Sequence, residues 1–130
     1  MKAVIDTNVL VSALISAYGK PAQILSTLLN GKIKILYDNR IIFEYIKVLS
    51  RDIFKLDDEV INELIIYIHH EGEYVNADYS DIKFEDEADK KFYEVLKTGR
   101  ADCLITGNKK HFPKEKEIVS PAEFLETEFK

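Results

Sequence analysis

The sequence contains few cysteine, glycine and proline residues. A single cysteine, Cys103, excludes an internal disulfide and fits a reducing compartment. Because Cys103 lies in the apolar run Cys-Leu-Ile, we interpret it as a buried thiol rather than a nucleophile. Five glycines and three prolines among 130 residues are too few for a linker or a disordered tail. We therefore expect a single domain over residues 1–130.

Long apolar runs and excess positive charge are also missing. No uninterrupted apolar stretch approaches the roughly 18 residues of a membrane span. Asp6 and Asn8 interrupt the amino-terminal run that would otherwise suggest a signal peptide. These features predict a soluble cytoplasmic protein. The net charge of −5 argues against binding nucleic acid through a general basic surface, but it is compatible with acidic residues gathered around metal ions.

The first eight residues contain the most informative stretch. The apolar run Ala3-Val4-Ile5 stops on Asp6, and a second apolar run follows. If the first run is a buried parallel strand that leads into a helix, Asp6 lies at the carboxyl end of that strand, where open α/β sheets bind ligands. An acid in this position is costly unless it is paired or coordinated. Asp6 is therefore the first candidate functional residue.

The rest of the chain alternates between strand and helix patterns. The predicted order is β-α-α-β-α-α-β-α-β-β-α, with Asp38 or Asn39, Asp57 and Asp86 in position to cap three of the helices. Strands that alternate with helices imply right-handed crossovers and a sheet covered on both faces. We predict a three-layer α/β/α sandwich with a central, mainly parallel sheet of four to five strands.

Four positions fall on, or within reach of, the carboxyl-end side of this sheet: Asp6, Glu44, Asp89 and Asn108. Carboxylates that converge without matching bases repel one another, and oxygen-only ligands favour Mg²⁺ or Mn²⁺. Simpler interpretations stay open for two of them. Glu44 also suits a solvated helix face, and Asp89 also suits the first turn of a helix. Asp102, which opens the fourth strand, could face the site or form a local hydrogen bond to the Gly99–Arg100 turn, and we favour the structural interpretation.

Three motifs carry a family resemblance: VIDTNVLVSALIS, IIFEYIKVLSR and DEADKKFYEVLKTGRADCLITGNKKHFP. In this order and spacing the sequence resembles PIN-domain nucleases, specifically the small prokaryotic toxin-like group related to VapC-type toxins. The resemblance implies a metal-dependent endoribonuclease in which Asp6, Glu44 and Asp89 bind the metal. Asn108 stands at the fourth catalytic position, where many members carry Asp.

The resemblance also implies supporting residues and partners. Thr106 and Asn8 match polar positions that support the first acid through hydrogen bonds. The reaction would be hydrolysis of RNA by water activated by one or two Mg²⁺ or Mn²⁺ ions. Proteins of this group are usually paired with an antitoxin and often form homodimers. Candidate phosphate contacts are Lys90, Arg100, Lys109 and Lys110.

Two other functions are compatible with parts of the sequence. A PIN-like fold without catalytic activity, acting as a binding or regulatory module, is kept open by Asn108. A phosphatase with an aspartyl nucleophile also places Asp at the end of the first strand. Such enzymes usually carry a second Asp two residues later, where this chain has Asn8. The phosphatase is therefore disfavoured.

Overall fold

The structure is a computed structural model and describes residues 1–128. The strands are β1 (Lys2–Ile5), β2 (Lys34–Tyr37), β3 (Glu73–Tyr74), β4 (Cys103–Ile105) and β5 (Ile118–Val119). The helices are α1 (Thr7–Ile15), α2 (Lys20–Leu29), α3 (Asn39–Leu49), α4 (Asp58–Glu71), α5 (Glu87–Gly99) and α6 (Pro121–Glu128). The predicted order of strands and helices is confirmed.

All five strands are parallel and form one sheet in the order β3-β2-β1-β4-β5. β1 is the central strand, and Ala3 is in register with Ile35 on one side and Cys103 on the other. After β1, the chain places β2 and β3 on one side of it and then β4 and β5 on the other side. The carboxyl ends of β1 and β4 therefore flank the point where the strand order reverses, which is where open α/β sheets form a binding crevice.

The helices cover this sheet through apolar faces that repeat every three to four residues. α5 lies against β1, β2 and β4, and α4 lies against β2 and β3. On α5 the fully buried residues include Phe92 and Val95. The predicted α/β/α sandwich with a parallel central sheet is confirmed. No helix within residues 1–128 is long and apolar enough to cross a membrane.

Two of the three predicted capping residues form side-chain hydrogen bonds at the start of their helices. The Asp38 carboxylate accepts a hydrogen bond from the Ile41 N–H at 3.0 Å, and the Asp86 carboxylate accepts one from the Ala88 N–H at 2.9 Å. Asp57 precedes α4 as predicted, but its side chain makes no capping bond. Asp86 is thus a helix cap, as its position in the sequence indicates.

Some local predictions are wrong. Ile46 and Val60, predicted on buried helix faces, are 39% and 40% exposed, because they lie at the borders of their apolar stripes. Two 3₁₀-helices, Asp52–Phe54 and Lys109–His111, were not expected. Elements of three residues are too short to show a hydrophobic period.

Gly72 connects α4 to β3 where the chain passes closely against β2. A Cβ atom on Gly72 would lie 2.5 Å from the carbonyl oxygen of Ile68 and 2.7 Å from that of Ile35. Only glycine allows this approach between backbones.

Candidate active site

Asp6 lies at the carboxyl end of β1, as predicted. Its backbone N–H donates to the Ile105 carbonyl at 2.9 Å, which continues the pairing of β1 with β4. Its side chain is buried, at 6% exposure, and Oδ2 accepts a hydrogen bond from the Thr106 hydroxyl at 2.7 Å. The predicted support of the first acid by Thr106 is confirmed.

The surroundings of Asp6 favour its protonated form. The pKa of Asp6 is raised from 3.8 to about 6, chiefly by burial and also by the negative charges of Asp89 and Glu44, although hydrogen bonds from Thr106 and the Thr7 backbone oppose this. The influence of the other two acids shows that the three carboxylates share one electrostatic environment. A cation placed among them would favour the charged form of Asp6.

Glu44 is half-buried on α3 and has hydrogen-bond partners at both carboxylate oxygens. The Thr7 hydroxyl donates to Oε2. The Lys91 ammonium, on α5, donates to Oε1 at 2.6 Å and also to the Ala88 carbonyl. Lys91 therefore supplies the positive charge that stands beside Glu44 in this structure.

Asp89 lies in the first turn of α5. Its Oδ2 is buried and has no hydrogen-bond partner within residues 1–128. The His111 imidazole lies close by, with its Nδ1 3.5 Å from Oδ2 but without a hydrogen bond. Burial raises the pKa of Asp89, as does the charge of Asp86, while His111 and Lys91 lower it. A buried oxygen without a partner is costly, and a bound cation would satisfy it.

Asn108 is exposed on the loop that follows β4. Its backbone N–H donates to the Thr106 hydroxyl at 3.0 Å, so one hydroxyl connects the loop to Asp6. The expected hydrogen bond from Asn8 to the first acid is wrong. The Asn8 side-chain oxygen instead accepts from the Gly107 N–H at 3.3 Å, which holds this loop against the start of α1.

Several sequence-based candidates lie away from this edge. Asp102 accepts a hydrogen bond from the Lys2 N–H at 2.8 Å, at the amino ends of β1 and β4. Its structural role is confirmed, but its partner is Lys2 rather than the Gly99–Arg100 turn. Arg100 precedes β4 and belongs to that opposite edge. Lys90 is 7% exposed, and its ammonium lies 4.1 Å from the centre of the Tyr79 ring. The Lys109 ammonium forms an ion pair with the Glu123 carboxylate at 2.8 Å. The ring contact of Lys90 and the position of Arg100 at the opposite edge argue against a phosphate role for these two residues.

A cavity of about 340 Å³ opens over the edge of the sheet and is lined by Asp6, Asn8 and Glu44, among others. The three carboxylates suit a hard divalent ion in chemistry and charge, and the unpartnered Oδ2 of Asp89 points to the same conclusion. Within residues 1–128, however, no three His, Cys, Asp or Glu side chains stand close enough together to hold an ion. Binding by all three would require a closer approach than the one seen here.

A family profile described as PIN domain matches residues 2–110, which includes every element from β1 to the loop after β4. The chain belongs to the PIN-domain family. PIN domains are typically nucleases that act on nucleic acid and use divalent metal ions. The match covers Asp6, Glu44, Asp89 and Asn108. No curated protein matches the chain.

Sequence reasoning missed two neighbours of the acids in this PIN domain. Lys90 was named from the sequence, but Lys91 was not. Adjacent residues of a helix point about 100° apart, so only Lys91 reaches Glu44 on α3. Thr7 directly follows Asp6, and its hydroxyl connects the end of β1 to Glu44. One sequence signal could have distinguished the two lysines. The buried residues of α5 repeat every three to four positions, and Lys91 directly precedes one of them, Phe92.

Proposed function

We propose that this PIN domain is an endoribonuclease dependent on Mg²⁺ or Mn²⁺. The observation that supports this best is the buried Asp6 carboxylate, with a pKa of about 6, near an Asp89 oxygen that has no hydrogen-bond partner within residues 1–128. Such an arrangement is unfavourable on its own and becomes favourable when a cation is bound.

In the proposed reaction, Asp6, Glu44 and Asp89 hold the metal. When bound, a divalent ion lowers the pKa of a water molecule and offsets charge that develops on the phosphate. Thr106 keeps the Asp6 carboxylate oriented through its hydroxyl, and Thr7 does the same for Glu44. Lys91 neutralises Glu44 before a metal binds, and it remains close enough to contact substrate phosphate afterwards.

We further propose that the protein is the toxin of a toxin–antitoxin pair. The support is its resemblance to the small VapC-related group in the three motifs given above. An antitoxin that covers the active site, a homodimer and a cytoplasmic location are parts of the same proposal.

The second candidate function is a binding or regulatory module without catalysis. Asn108 favours it, because an amide at the fourth position adds no negative charge to the site. The two candidates differ in their metal affinity, since a working site must bind Mn²⁺ or Mg²⁺ and an inactive one need not.

The test is to incubate the purified protein with structured and unstructured RNA in Mn²⁺ or Mg²⁺, with an EDTA control. We expect internal cleavage that requires metal and that falls roughly a hundredfold or more in Asp6→Asn. Asp102→Asn is the matched control, because Asp102 is an exposed acid at the opposite edge of the sheet. If wild type and Asp6→Asn are equally inert and calorimetry detects no bound Mn²⁺, the binding-module function replaces the nuclease.

A further inference from the structure

A row of large side chains follows one face of α3 and leads towards Asp6. Arg40, Phe43 and Lys47 are spaced three and four residues apart, which places them on the same side of the helix, and Arg51 follows two residues after the helix ends. We call these four residues the α3 row. Glu44 belongs to the same face, so the row and the candidate active site share one helix.

Two adjoining cavities connect the α3 row to the acids. The first, of about 410 Å³, is lined by all four residues of the row and by Lys91. The second is the cavity over Asp6 described above. Glu44, Val48 and Arg51 line both. A chain-like ligand that occupied the first cavity would therefore enter the second beside Asp6.

The charges along the row differ from those of the protein as a whole. Arg40 is neutralised by Asp38 and Glu94, each at 2.7 Å. Lys47 and Arg51 are exposed, and neither side chain makes a hydrogen bond or ion pair within residues 1–128. Two such cations beside the acids, in a protein of net charge −5, form a local site for anionic groups.

Phe43 lies one helical turn before Lys47 and is 71% exposed. An exposed aromatic ring next to unpaired cations is the combination by which proteins bind single-stranded nucleic acids, since bases stack on the ring while cations contact the phosphates. A partner helix would instead require a continuous apolar strip, and the cationic residues on both sides of Phe43 interrupt one.

We propose that the α3 row binds a single-stranded nucleic acid and directs it into the cavity over Asp6. Lys47 and Arg51 contact successive phosphates, and Phe43 stacks on a base. Arg40, held by its two carboxylates, fixes the first turn of α3 rather than binding the strand. This inference rests on the proposed nuclease function and names the surface that its substrate occupies.

The test measures binding without cleavage. A fluorescein-labelled single-stranded RNA 12-mer of mixed sequence is titrated with protein in EDTA, and anisotropy is recorded at several salt concentrations. We expect Lys47→Ala/Arg51→Ala to weaken binding and to reduce the slope of log affinity against log salt by about 1.4, since each lost phosphate contact removes about 0.7. Phe43→Ala should weaken binding about fivefold or more with an unchanged salt slope.

Matched controls replace similar side chains elsewhere. Lys34→Ala removes an exposed lysine from the amino end of β2, and Tyr18→Ala removes an aromatic ring that is 96% exposed. Both variants should bind the 12-mer like wild type. The inference fails if wild type does not bind, or if the row variants bind as well as the controls do. It also fails if Phe43→Ala changes the mass measured by light scattering and leaves RNA binding unchanged, which would make this face a protein interface.

The nuclease function is judged separately. Cleavage that requires Asp6 but is insensitive to the row variants would overturn this inference alone. Binding through the row by a protein that never cleaves RNA would overturn the nuclease and leave the binding surface in place.

Discussion

At the scale of single residues, Asp6 carries much of the electrostatic cost of the site. It is buried at the end of a central strand, and its principal side-chain partner is a neutral hydroxyl. The folded-state pKa of about 6 exceeds the ordinary value of 3.8, so the folded protein binds this proton more tightly than the unfolded chain does. Acidification should therefore stabilise the fold through this residue.

The corresponding prediction concerns the free energy of unfolding without metal. As the pH falls from 7 to 3, wild type should gain up to about 3 kcal/mol relative to Asp6→Asn, because the ionised carboxylate becomes protonated through a folded-state pKa of about 6 and an unfolded-state pKa of 3.8. Urea unfolding of both proteins in EDTA at several pH values measures this difference. Parallel pH profiles would show that Asp6 does not titrate as described.

Asp6 was predictable from the sequence because an acid that ends an apolar strand is a local signal. The contact between Lys91 and Glu44 was not, since it joins residues 47 positions apart and depends on how α3 lies beside α5. Asn8 illustrates a third case: its polarity was recognised, but its hydrogen bond goes to the loop after β4. The chemical role of a residue could thus be predicted from its local sequence, whereas its long-range hydrogen-bond partners depend on how the helices and strands pack together.

At the scale of elements, the junction of α4 with β3 tolerates no additional atoms at Gly72. Gly72→Ala should lower the free energy of unfolding by about 1–3 kcal/mol, because the new Cβ would press on two carbonyl oxygens. Gly19→Ala is the matched control, since its Cβ would meet only Pro21 at an ordinary 3.5 Å. Urea unfolding compares the two variants. Equal stability for both would mean that the backbone moves aside at little cost.

Helices and strands could be predicted because each shows a hydrophobic period or an apolar run bounded by caps and glycines. The errors fall at borders and in short elements. Ile46 and Val60 lie at the edges of their apolar stripes, and the two 3₁₀-helices are too short to show a period. The parallel direction of the strands followed from their alternation with helices, whereas the order of the sheet came only from the structure.

At the scale of the whole molecule, the three acids belong to separate parts of the chain, so a metal that binds them stabilises the entire fold. We expect Mn²⁺ to raise the thermal midpoint of wild type by several degrees, since a ligand at a hundred times its dissociation constant contributes about 2.7 kcal/mol. Asp6→Asn should show little shift. Lys91→Met, which frees an oxygen of Glu44, should show a larger one.

Thermal melts at increasing Mn²⁺ concentration provide the measurement, with Mg²⁺ as the second ion. A shift of the same size in wild type and Asp6→Asn would indicate that Mn²⁺ binds elsewhere. A smaller shift in Lys91→Met than in wild type would indicate that Lys91 holds Glu44 ready for the ion rather than competing with it.

The hydrogen bond from Thr106 to Asp6 joins residues one hundred positions apart, and β1 pairs with β4 across the same separation. During synthesis, Asp6 therefore leaves the ribosome long before the residues that bury and orient it. A nascent chain that ends before β4 has no assembled edge at Asp6, and pairing over such a distance is slow. A protein that cleaves RNA would thus be inactive towards its own message until β4 and the residues after it had been synthesised and had paired with β1.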